Sequence, residues 1–541
     1  MFPDSNVHPV AAGDEFVYLK SDVKIEPLVC GWYAWSHLVS PAALALHLRF
    51  RMLPLLRNFV DNPSIHVSAN LDPNMYGGPF VSLAEADIAA VRQLIEDTET
   101  TCAELLAFAD EYRAFDARLQ QEAQGGTLND YYTELPQALR GCLELVYDLH
   151  HRPALRLFEA LLYAQGLAVS TQQVLLQSLR EDERHFFMST PRLPAPGSVT
   201  LPLRFSDARL DLLARARSKP ASFNAIAEQL ELAGEQRTAL RAMFDTTPPR
   251  RRGPIDHSGD GVRVRYFGHA CVLFQTAEVS VLFDPFVSIE EADDERFTIN
   301  DLPERIDYVV LSHSHQDHFS PEMLIQLRHR IGQVIVPANN SGHVADPSMK
   351  LALGEMGFGN VVVLDCLDTV QIPGGRICSL PFTGEHADLS IYSKHAVALN
   401  LGGRNFVFLV DSDGRDLVMY EHMRRAIGGR IDALFIGMEC HGAPLNWLYE
   451  PLLGKPLNRR NNEARRLSGA DCDRAWGIVG KLEPARVFVY AMGQEPWMRY
   501  IMGLQYSPDS IQLTESQRFI DRCRSHGMEA ERLYLSGEWP F

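Results

Sequence analysis

The stretch Ile306-Asp307-Tyr308-Val309-Val310-Leu311 is rich in apolar and β-branched residues, and it runs directly into Ser312-His313-Ser314-His315-Gln316-Asp317-His318. We expect a buried β-strand that ends where the second stretch begins. Side chains two residues apart in an extended segment project to the same side. His313 and His315 are therefore placed to bind one metal ion together.

Asp317 and His318 follow where the chain turns, and they are placed to face a second ion beside the first. A lone histidine would favour a structural role in a core. Three imidazoles and a carboxylate within six residues at a strand end are difficult to explain as core packing, and they are typical of a metal site. The sequence therefore predicts a dinuclear metal centre in the C-terminal half.

The size and charge of the chain limit its class. Its 541 residues exceed one ordinary hydrophobic core, so we expect two or three domains. The net charge of −18 argues against a general nucleic-acid binder, which needs a basic face. A partner that docks on a local basic patch stays compatible with this charge.

The nine cysteines are scattered singly, without a CxxC pair. This pattern favours free thiols in a reducing compartment over a disulfide framework. Residues 1–5 do not begin a signal peptide, because no basic segment followed by an apolar run is present. No stretch reaches the roughly 18 apolar residues of a membrane span. We expect a cytoplasmic protein.

The spacing of apolar residues divides the chain into two halves. Residues 1–247 read as a mainly helical domain that serves dimerisation or covers the site, and residues 248–260, with Arg250-Arg251-Arg252 among prolines and glycines, read as a linker. Residues 261–541 alternate short apolar strands with helices, which predicts a layered α/β domain. The helices expected in the first half cover 42–59, 83–121 (with Ser82 as N-cap), 135–165, 171–187 and 206–217.

The second half is expected to contain ten short strands bounded by Gly, Asp and Pro, with helices between several of them. The strands are 262–266, 270–275, 279–283, 307–311, 333–336, 361–364, 396–401, 405–410, 433–437 and 486–490, and the helices lie around 321–330, 415–427 and 472–482.

Two segments of the first half, 31–35 and 75–80, concentrate aromatic residues and glycines. Core packing beneath loops explains them most simply. A contact between subunits, or a roof over the metal site, is the alternative.

The motif from His313 to His318 resembles the HxHxDH motif of the metallo-β-lactamase superfamily, which it matches in full. The segments 267–271 and 282–285 look like the opening strands of that fold, and Asp411, after the apolar run 406–410, looks like its metal-bridging aspartate. The resemblance implies an αββα sandwich with the site at one edge of the sheets.

The sequence departs from the superfamily at two ligand positions. Where a third histidine usually completes the first site, the chain reads Phe382-Thr383-Gly384-Glu385-His386; we interpret Glu385 as the ligand, with His386 as the weaker candidate. Two histidines and one carboxylate form a ligand set that suits non-haem iron better than zinc. The histidine expected after strand 486–490 is absent, which leaves an open position or a substitute such as His441 or Glu495.

Taken end to end, the sequence resembles the dinuclear non-haem iron β-hydroxylases of nonribosomal peptide biosynthesis. That resemblance implies that His313, His315 and Glu385 hold one iron, that Asp317 and His318 hold the other, and that Asp411 lies between them. It gives Glu385 and Asp411 catalytic importance as ligands.

The same resemblance implies the reaction and its participants. Dioxygen is the cosubstrate, an external protein donates electrons, and an amino acid bound as a thioester to a peptidyl carrier domain is hydroxylated at its β-carbon. A homodimer is also expected. Arg250-Arg251-Arg252, or Arg459-Arg460 with Arg465-Arg466, are candidates for the face that meets an acidic carrier, although solvated surface arginines are common.

Two other functions are compatible with the motif. One is a dinuclear zinc hydrolase of the same fold, acting on a lactone, phosphodiester or amide through a metal-bound hydroxide. The other is a non-catalytic scaffold with a degenerate site, which the presence of all six expected ligands opposes. The sequence does not identify the amino acid, aromatic or aliphatic, or the stereochemistry.

Overall fold

The computed structural model describes residues 15–72, 75–180, 183–503 and 506–541, so residues 1–5, for which no signal peptide is expected, lie outside the described part. Among the described helices, none is both long enough and apolar enough to cross a bilayer. All nine cysteines are free thiols.

The N-terminal half combines helices with short strands. The helices are α1 (Ser36–Val39), α2 (Pro41–His47), α3 (Leu53–Asp61), α4 (Pro63–Asn70), α5 (Ile88–Thr101), α6 (Ala103–Glu122), α7 (Asn129–Thr133), α8 (Glu159–Ala164), α9 (Arg209–Arg215), α10 (Phe223–Gln229) and α11 (Gly234–Ala242). The strands are β1 (Phe16–Leu19), β2 (Val23–Val29), β3 (Trp32–Tyr33), β4 (Leu143–Tyr147), β5 (Pro153–Leu157), β6 (Gln172–Ser178), β7 (Val199–Leu201), β8 (Ala221–Ser222) and β9 (Phe244–Asp245).

The C-terminal half alternates strands and helices. The strands are β10 (Arg263–Tyr266), β11 (Val272–Gln275), β12 (Ser280–Phe283), β13 (Ile306–Val310), β14 (Ile331–Pro337), β15 (Val361–Leu364), β16 (Thr369–Ile372), β17 (Gly375–Leu380), β18 (Ala396–Leu401), β19 (Arg404–Val410), β20 (Ala433–Gly437), β21 (Arg486–Tyr490), β22 (Glu529–Arg532) and β23 (Gly537–Pro540). The helices are α12 (Pro321–Leu327), α13 (Met349–Glu355), α14 (Leu417–Ile427), α15 (Asn446–Tyr449), α16 (Arg459–Ala464), α17 (Cys472–Leu482), α18 (Arg499–Met502) and α19 (Ile511–Ser525).

These strands form two seven-stranded sheets, ordered β15-β14-β13-β12-β11-β10-β23 and β16-β17-β18-β19-β20-β21-β22. Aromatic side chains fill the space between the sheets; the rings of Phe283 and Phe408, for example, stack with centroids 3.9 Å apart. Helices α14, α17 and α19 pack against the second sheet, and α13 packs against the first. This is the expected αββα sandwich behind a largely helical N-terminal region.

Parallel strands bring their carboxyl ends to one edge of each sheet. β12 pairs in parallel with β13, and β19 and β20 pair in parallel with β20 and β21 respectively. The residues that follow these strands therefore converge, which places Asp284, the segment 312–318, Asp411 and Glu439 at one edge of the sandwich.

The N-terminal half shares a hydrophobic core with the first sheet. Trp32, Trp35 and Leu44 belong to the same buried cluster as Leu282 and Val309. Burial of apolar surface is the main stabilising contribution to folding, so the two halves stabilise each other.

A buried ionic network also joins the halves. The guanidinium of Arg184 lies 2.7 Å from a carboxylate oxygen of Glu26 in β2 and 2.7 Å from one of Glu322 in α12. Arg192 donates a hydrogen bond of 3.0 Å to Glu26. Burial would raise the pKa of Glu26, but Arg192 and Arg184 lower it to about 2.

The prediction of helices over 135–165 and 171–187 is wrong, because both segments contain strands. The hairpin β4–β5 lies within 135–165, and burial alternates along β5 because every second side chain faces the core. Over 171–187 the chain forms β6, which pairs along its full length with β2. Ser82 is not the expected N-cap: α5 begins at Ile88, and the Ser82 N–H donates to Oγ1 of Thr190.

Candidate metal centre

The loop after β13 is fixed by Asp284, at the end of β12. The backbone N–H and the hydroxyl of Ser312 donate hydrogen bonds to its two carboxylate oxygens, at 2.7 and 2.6 Å. Nδ1 of His318 lies 2.9 Å from the same carboxylate. A carboxylate that accepts a hydrogen bond from Nδ1–H keeps the proton on Nδ1 and leaves the lone pair of Nε2 free for a metal ion. Asp284 thus orients His318 without belonging to the motif.

The first ligand cluster joins His313, His315 and Glu385. Nε2 of His313 is 3.7 Å from Oε2 of Glu385, and Nδ1 of His315 is in contact with Oε1 of the same carboxylate. Nε2 of His315 lies 2.9 Å from the hydroxyl of Tyr449. This contact holds the imidazole with Nδ1 toward the cluster.

The second cluster joins His313, His318 and Asp411. Oδ2 of Asp411 is 3.7 Å from Nε2 of His313 and 3.2 Å from Nε2 of His318. Asp411 therefore lies between two histidines of the motif. Gly437 makes this position accessible, because a Cβ there would lie 2.6 Å from Oδ1 of Asp411.

Asp317 lies beside His318, with 3.4 Å between Oδ2 and Nε2, and beside His269, whose Nε2 is 3.2 Å from the same oxygen. Together they form the third cluster. Sequence reasoning missed His269. The only signal was the Gly268-His269 pair in the turn between β10 and β11, where His269 adopts a left-handed φ of 49°.

The hydrogen bonds of His269 argue that it positions Asp317. The N–H of Gly493 donates to Nδ1 of His269 at 3.1 Å, so Nδ1 carries a lone pair. Nε2 of the neutral ring then carries the proton, which it donates to Asp317. A neutral imidazole in this state has no second lone pair for a metal ion. His269 is therefore placed to hold the Asp317 carboxylate in position and not to bind the metal itself.

The buried polar atoms at the centre fit metal ions. Nε2 of His313, Nε2 of His318 and Oε2 of Glu385 are all buried without a hydrogen-bond partner. Unpaired buried groups of this kind cost free energy unless a cation satisfies them. The donors are imidazole nitrogens and carboxylate oxygens, the mixed set that suits iron. The residues present therefore fit two metal ions.

Glu385 sits in a strained loop. Its φ is 66°, and the φ of Gly384 is 91°. A Cβ at Gly384 would lie 2.2 Å from Cγ of Asp413, so only glycine fits there. The Nζ of Lys394 donates to the backbone oxygen of Gly384 at 2.8 Å. These contacts direct the Glu385 carboxylate toward the histidines.

The weaker ligand candidates lie outside the clusters. His386 stacks on His315, with ring centroids 4.3 Å apart. Glu495 is buried and accepts a hydrogen bond of 2.6 Å from Tyr266. His441 is exposed and lines the cavity above the site. Among the described residues, none of the three joins a ligand cluster.

A cavity of about 320 Å³ opens onto His315, Asp317, Glu385 and Asp411. Part of its wall comes from the N-terminal half, through Tyr76, Gly77 and Gly78. The segment 75–80 thus covers the site, as the alternative interpretation of its glycines and aromatics expected. The segment 31–35 instead packs in the core, where Trp32, Tyr33 and Trp35 are buried.

The two basic clusters differ in their surroundings. In 250–252, Arg251 pairs with Glu304, and Arg252 donates to backbone oxygens and to Asp301. In the other cluster Arg466 lines the cavity, while Arg459 and Arg460 are exposed and have no acidic partner in the described part of the chain. Because Arg466 is paired with Glu463 at 2.8 Å, the freer positive charge of the second cluster lies on Arg459 and Arg460.

The fold and the site define a metallo-β-lactamase-fold protein with a dinuclear metal centre. A model of the diiron non-haem β-hydroxylase N-terminal domain matches residues 18–248, and a model of the β-lactamase superfamily domain matches residues 263–436. The chain is 34% identical over 524 residues, covering 96% of its length and 98% of the relative, to the 4-amino-L-phenylalanyl-CmlP-peptidyl-carrier-protein 3-hydroxylase of Streptomyces venezuelae. The chain belongs to the family of diiron non-haem β-hydroxylases.

Two further comparisons describe the extent of the similarity. The crystal structure of CmlA, a diiron β-hydroxylase from Streptomyces venezuelae, superposes with a TM-score of 0.91 at 33% identity and covers 98% of this chain and 100% of that one. A metal-dependent hydrolase from Christiangramia forsetii is 26% identical over 151 residues, which are 26% of this chain and 65% of that protein. The similarity to the hydroxylase is thus end to end, whereas the similarity to the hydrolase is local.

Proposed function

We propose that this protein uses dioxygen to hydroxylate the β-carbon of an amino acid held as a thioester on a carrier domain of a nonribosomal peptide synthetase, in natural-product biosynthesis. The observation that carries the proposal is the pair of overlapping clusters that share His313 beneath a cavity roofed by the N-terminal half. The end-to-end similarity to a hydroxylase of a carrier-bound amino acid supports it.

We assign His313, His315 and Glu385 to one iron, Asp317 and His318 to the other, and Asp411 to the position between them. The short contacts of Asp411 with both His313 and His318 support its shared role. When bound, the two irons supply the reductive activation of dioxygen, which amino-acid side chains do not provide.

The chain's own residues prepare the site for this chemistry. Asp284 fixes the tautomer of His318, Tyr449 orients His315, and His269 holds Asp317. The roof at Gly77 limits the access of water, which strengthens electrostatic interactions inside the cavity.

The partners follow from the same proposal. The substrate arrives on an acidic carrier, for which the exposed Arg459 and Arg460 offer positive charge in the same cluster as Arg466, which lines the cavity. An electron-transfer protein supplies two electrons per turnover. The protein acts in the cytoplasm, as a homodimer through its N-terminal half.

The test is incubation of reduced, iron-loaded protein with a series of aminoacyl carrier proteins under dioxygen, followed by intact-protein mass spectrometry. We expect a gain of one oxygen atom on at least one carrier. Oxygen gain on none, together with tightly bound zinc and hydrolytic turnover of an ester or amide, would instead establish the hydrolase that the local similarity represents.

A further inference from the structure

We propose that Glu439 binds the α-ammonium group of the carrier-tethered amino acid. This inference rests on the proposed function and extends it to the recognition of the substrate. It assigns a role to an acidic residue that lies outside the metal clusters.

Glu439 follows β20 by two residues and lines the same cavity as Asp317, Glu385 and Asp411. Those three carboxylates contact histidines within the clusters. In the described part of the chain, Glu439 joins no cluster, and its carboxylate makes neither a hydrogen bond nor an ion pair. It is therefore the acidic group of the cavity that remains available to a ligand.

The surroundings of Glu439 leave space for this carboxylate. A Cβ on Gly442 would lie 2.7 Å from Oε1 of Glu439 and 1.5 Å from the backbone oxygen of Leu467. The close approach of the Leu467 oxygen requires glycine at position 442, and the absence of a Cβ there also leaves room for the Glu439 carboxylate. Gln316, whose Oε1 is buried without a partner, lines the same cavity and offers a second acceptor.

The chemistry of the substrate requires such a group. In an amino acid bound to a carrier, the α-carboxylate has been converted to a neutral thioester. Its ammonium group therefore enters the cavity as an uncompensated positive charge. Burial of an unpaired charge is strongly unfavourable, and a nearby opposite charge offsets this penalty. In the iron-loaded protein the carboxylates of Asp317, Glu385 and Asp411 would each face a metal cation, whereas Glu439 lies outside the clusters.

The electrostatics of the cavity agree with a cationic ligand. Burial, reinforced by Asp411, Glu385 and Asp317, raises the pKa of Glu439 well above its usual range. A bound cation relieves this repulsion, and it would stabilise the carboxylate form. Tyr506, which also lines the cavity, has its pKa raised by burial and by Glu439.

The test compares two carriers, one loaded with the amino acid and one with the matching acyl group that lacks the amine. Wild type, Glu439→Gln and the surface control Glu278→Gln are measured for kcat, KM and equilibrium carrier affinity by calorimetry. Iron content and optical spectrum are recorded for each.

We expect Glu439→Gln to weaken affinity for the aminoacyl carrier at least about tenfold, which corresponds to about 1.4 kcal/mol. The amine-free carrier should bind wild type and variant equally, and iron content should stay unchanged. Glu439→Asp, which keeps the charge, should retain part of the preference for the aminoacyl carrier over the amine-free carrier.

Two outcomes overturn this inference alone while the proposed function stands. One is an equal loss of affinity for both carriers in Glu439→Gln. The other is loss of iron from this variant, which would make Glu439 a metal ligand. A wild-type protein that oxygenates no aminoacyl carrier overturns the proposed function, and this inference with it.

Discussion

The indole Nε1 of Trp447 donates a hydrogen bond of 3.0 Å to the backbone oxygen of Gly77. The two residues come from different halves of the chain and meet in the wall of the cavity. Gly77 also packs directly on Gly503, because a Cβ at Gly77 would lie 2.7 Å from the Gly503 oxygen. The roof of the site is therefore attached at a defined point.

Trp447→Phe should loosen the roof without unfolding the protein. The change leaves the Gly77 oxygen without its donor, a loss of about 1–2 kcal/mol, and we expect KM for the carrier-bound substrate to rise severalfold with a small fall in Tm. Steady-state kinetics and thermal denaturation measure both. Trp476→Phe, in α17 on the second sheet, is the matched control and should leave KM unchanged; equal effects of the two changes would contradict the assignment.

Glu385→Gln should lower iron content, because the substitution removes a charged oxygen donor from the first cluster. Glu495→Gln should retain iron, since Glu495 accepts a hydrogen bond from Tyr266 and lies outside the clusters. Metal analysis after anaerobic reconstitution distinguishes them. Iron loss in Glu495→Gln would restore that residue as a ligand.

His269→Ala should weaken iron affinity by about 10–100-fold, as expected when a residue that orients a ligand is removed. His269→Gln should recover much of it, because an amide can donate to Asp317 and accept from Gly493. Titration with ferrous iron measures both affinities. If Gln does not rescue and both variants lose one ion completely, His269 is itself a ligand.

Gly437→Ala should displace Asp411, since the added Cβ would lie 2.6 Å from Oδ1 of Asp411 and 2.7 Å from the backbone oxygen of Val410. We expect loss of hydroxylation and an altered optical spectrum of the iron-loaded protein. Gly480→Ala, in α17, meets nothing within 4 Å and should stabilise the protein by about 0.5–1 kcal/mol. An active Gly437→Ala enzyme would show that Asp411 tolerates displacement.

Arg184→Met should destabilise the protein by about 3–5 kcal/mol, because it leaves the buried Glu322 carboxylate without its cationic partner and leaves Glu26 with Arg192 alone. Chemical denaturation gives the free energy of unfolding. Arg118→Met, which removes exposed ion pairs with Glu122 and Glu134, should change the free energy of unfolding far less, because water screens exposed pairs. Equal costs would mean that the buried network does not join the halves.

The candidate ligands were predictable where they are close together in sequence. The spacing of the residues from His313 to His318 is enough to predict a metal site. The structure brings this segment together with Glu385 and Asp411. His269 and Glu439 reach the site only through the convergence of strand ends. A single histidine or glutamate after a strand carries no signal of its own.

The fold was predictable where periodicity is strong. The long helices α5 and α6 and the apolar strands of the sandwich match their expected positions closely. The strands β16, β22 and β23 were not expected, because they are short and lie at sheet edges. The six-residue strand β17 was also missed, although it lies inside the second sheet and four of its residues are buried. The strand β6 was mistaken for a helix because only its pairing with β2 distinguishes the two.

The hydrophobic cluster that runs from Trp35 to Val309 has a consequence for the exchange of parts between related enzymes. A chimera joined within 248–260 would combine the N-terminal half of one enzyme, which covers the site, with the metal-binding C-terminal half of another. Its failure would arise from mismatched packing, before any question of substrate. Transplanting substrate choice within this family therefore calls for changes in the cavity wall of a single parent, with both halves kept together.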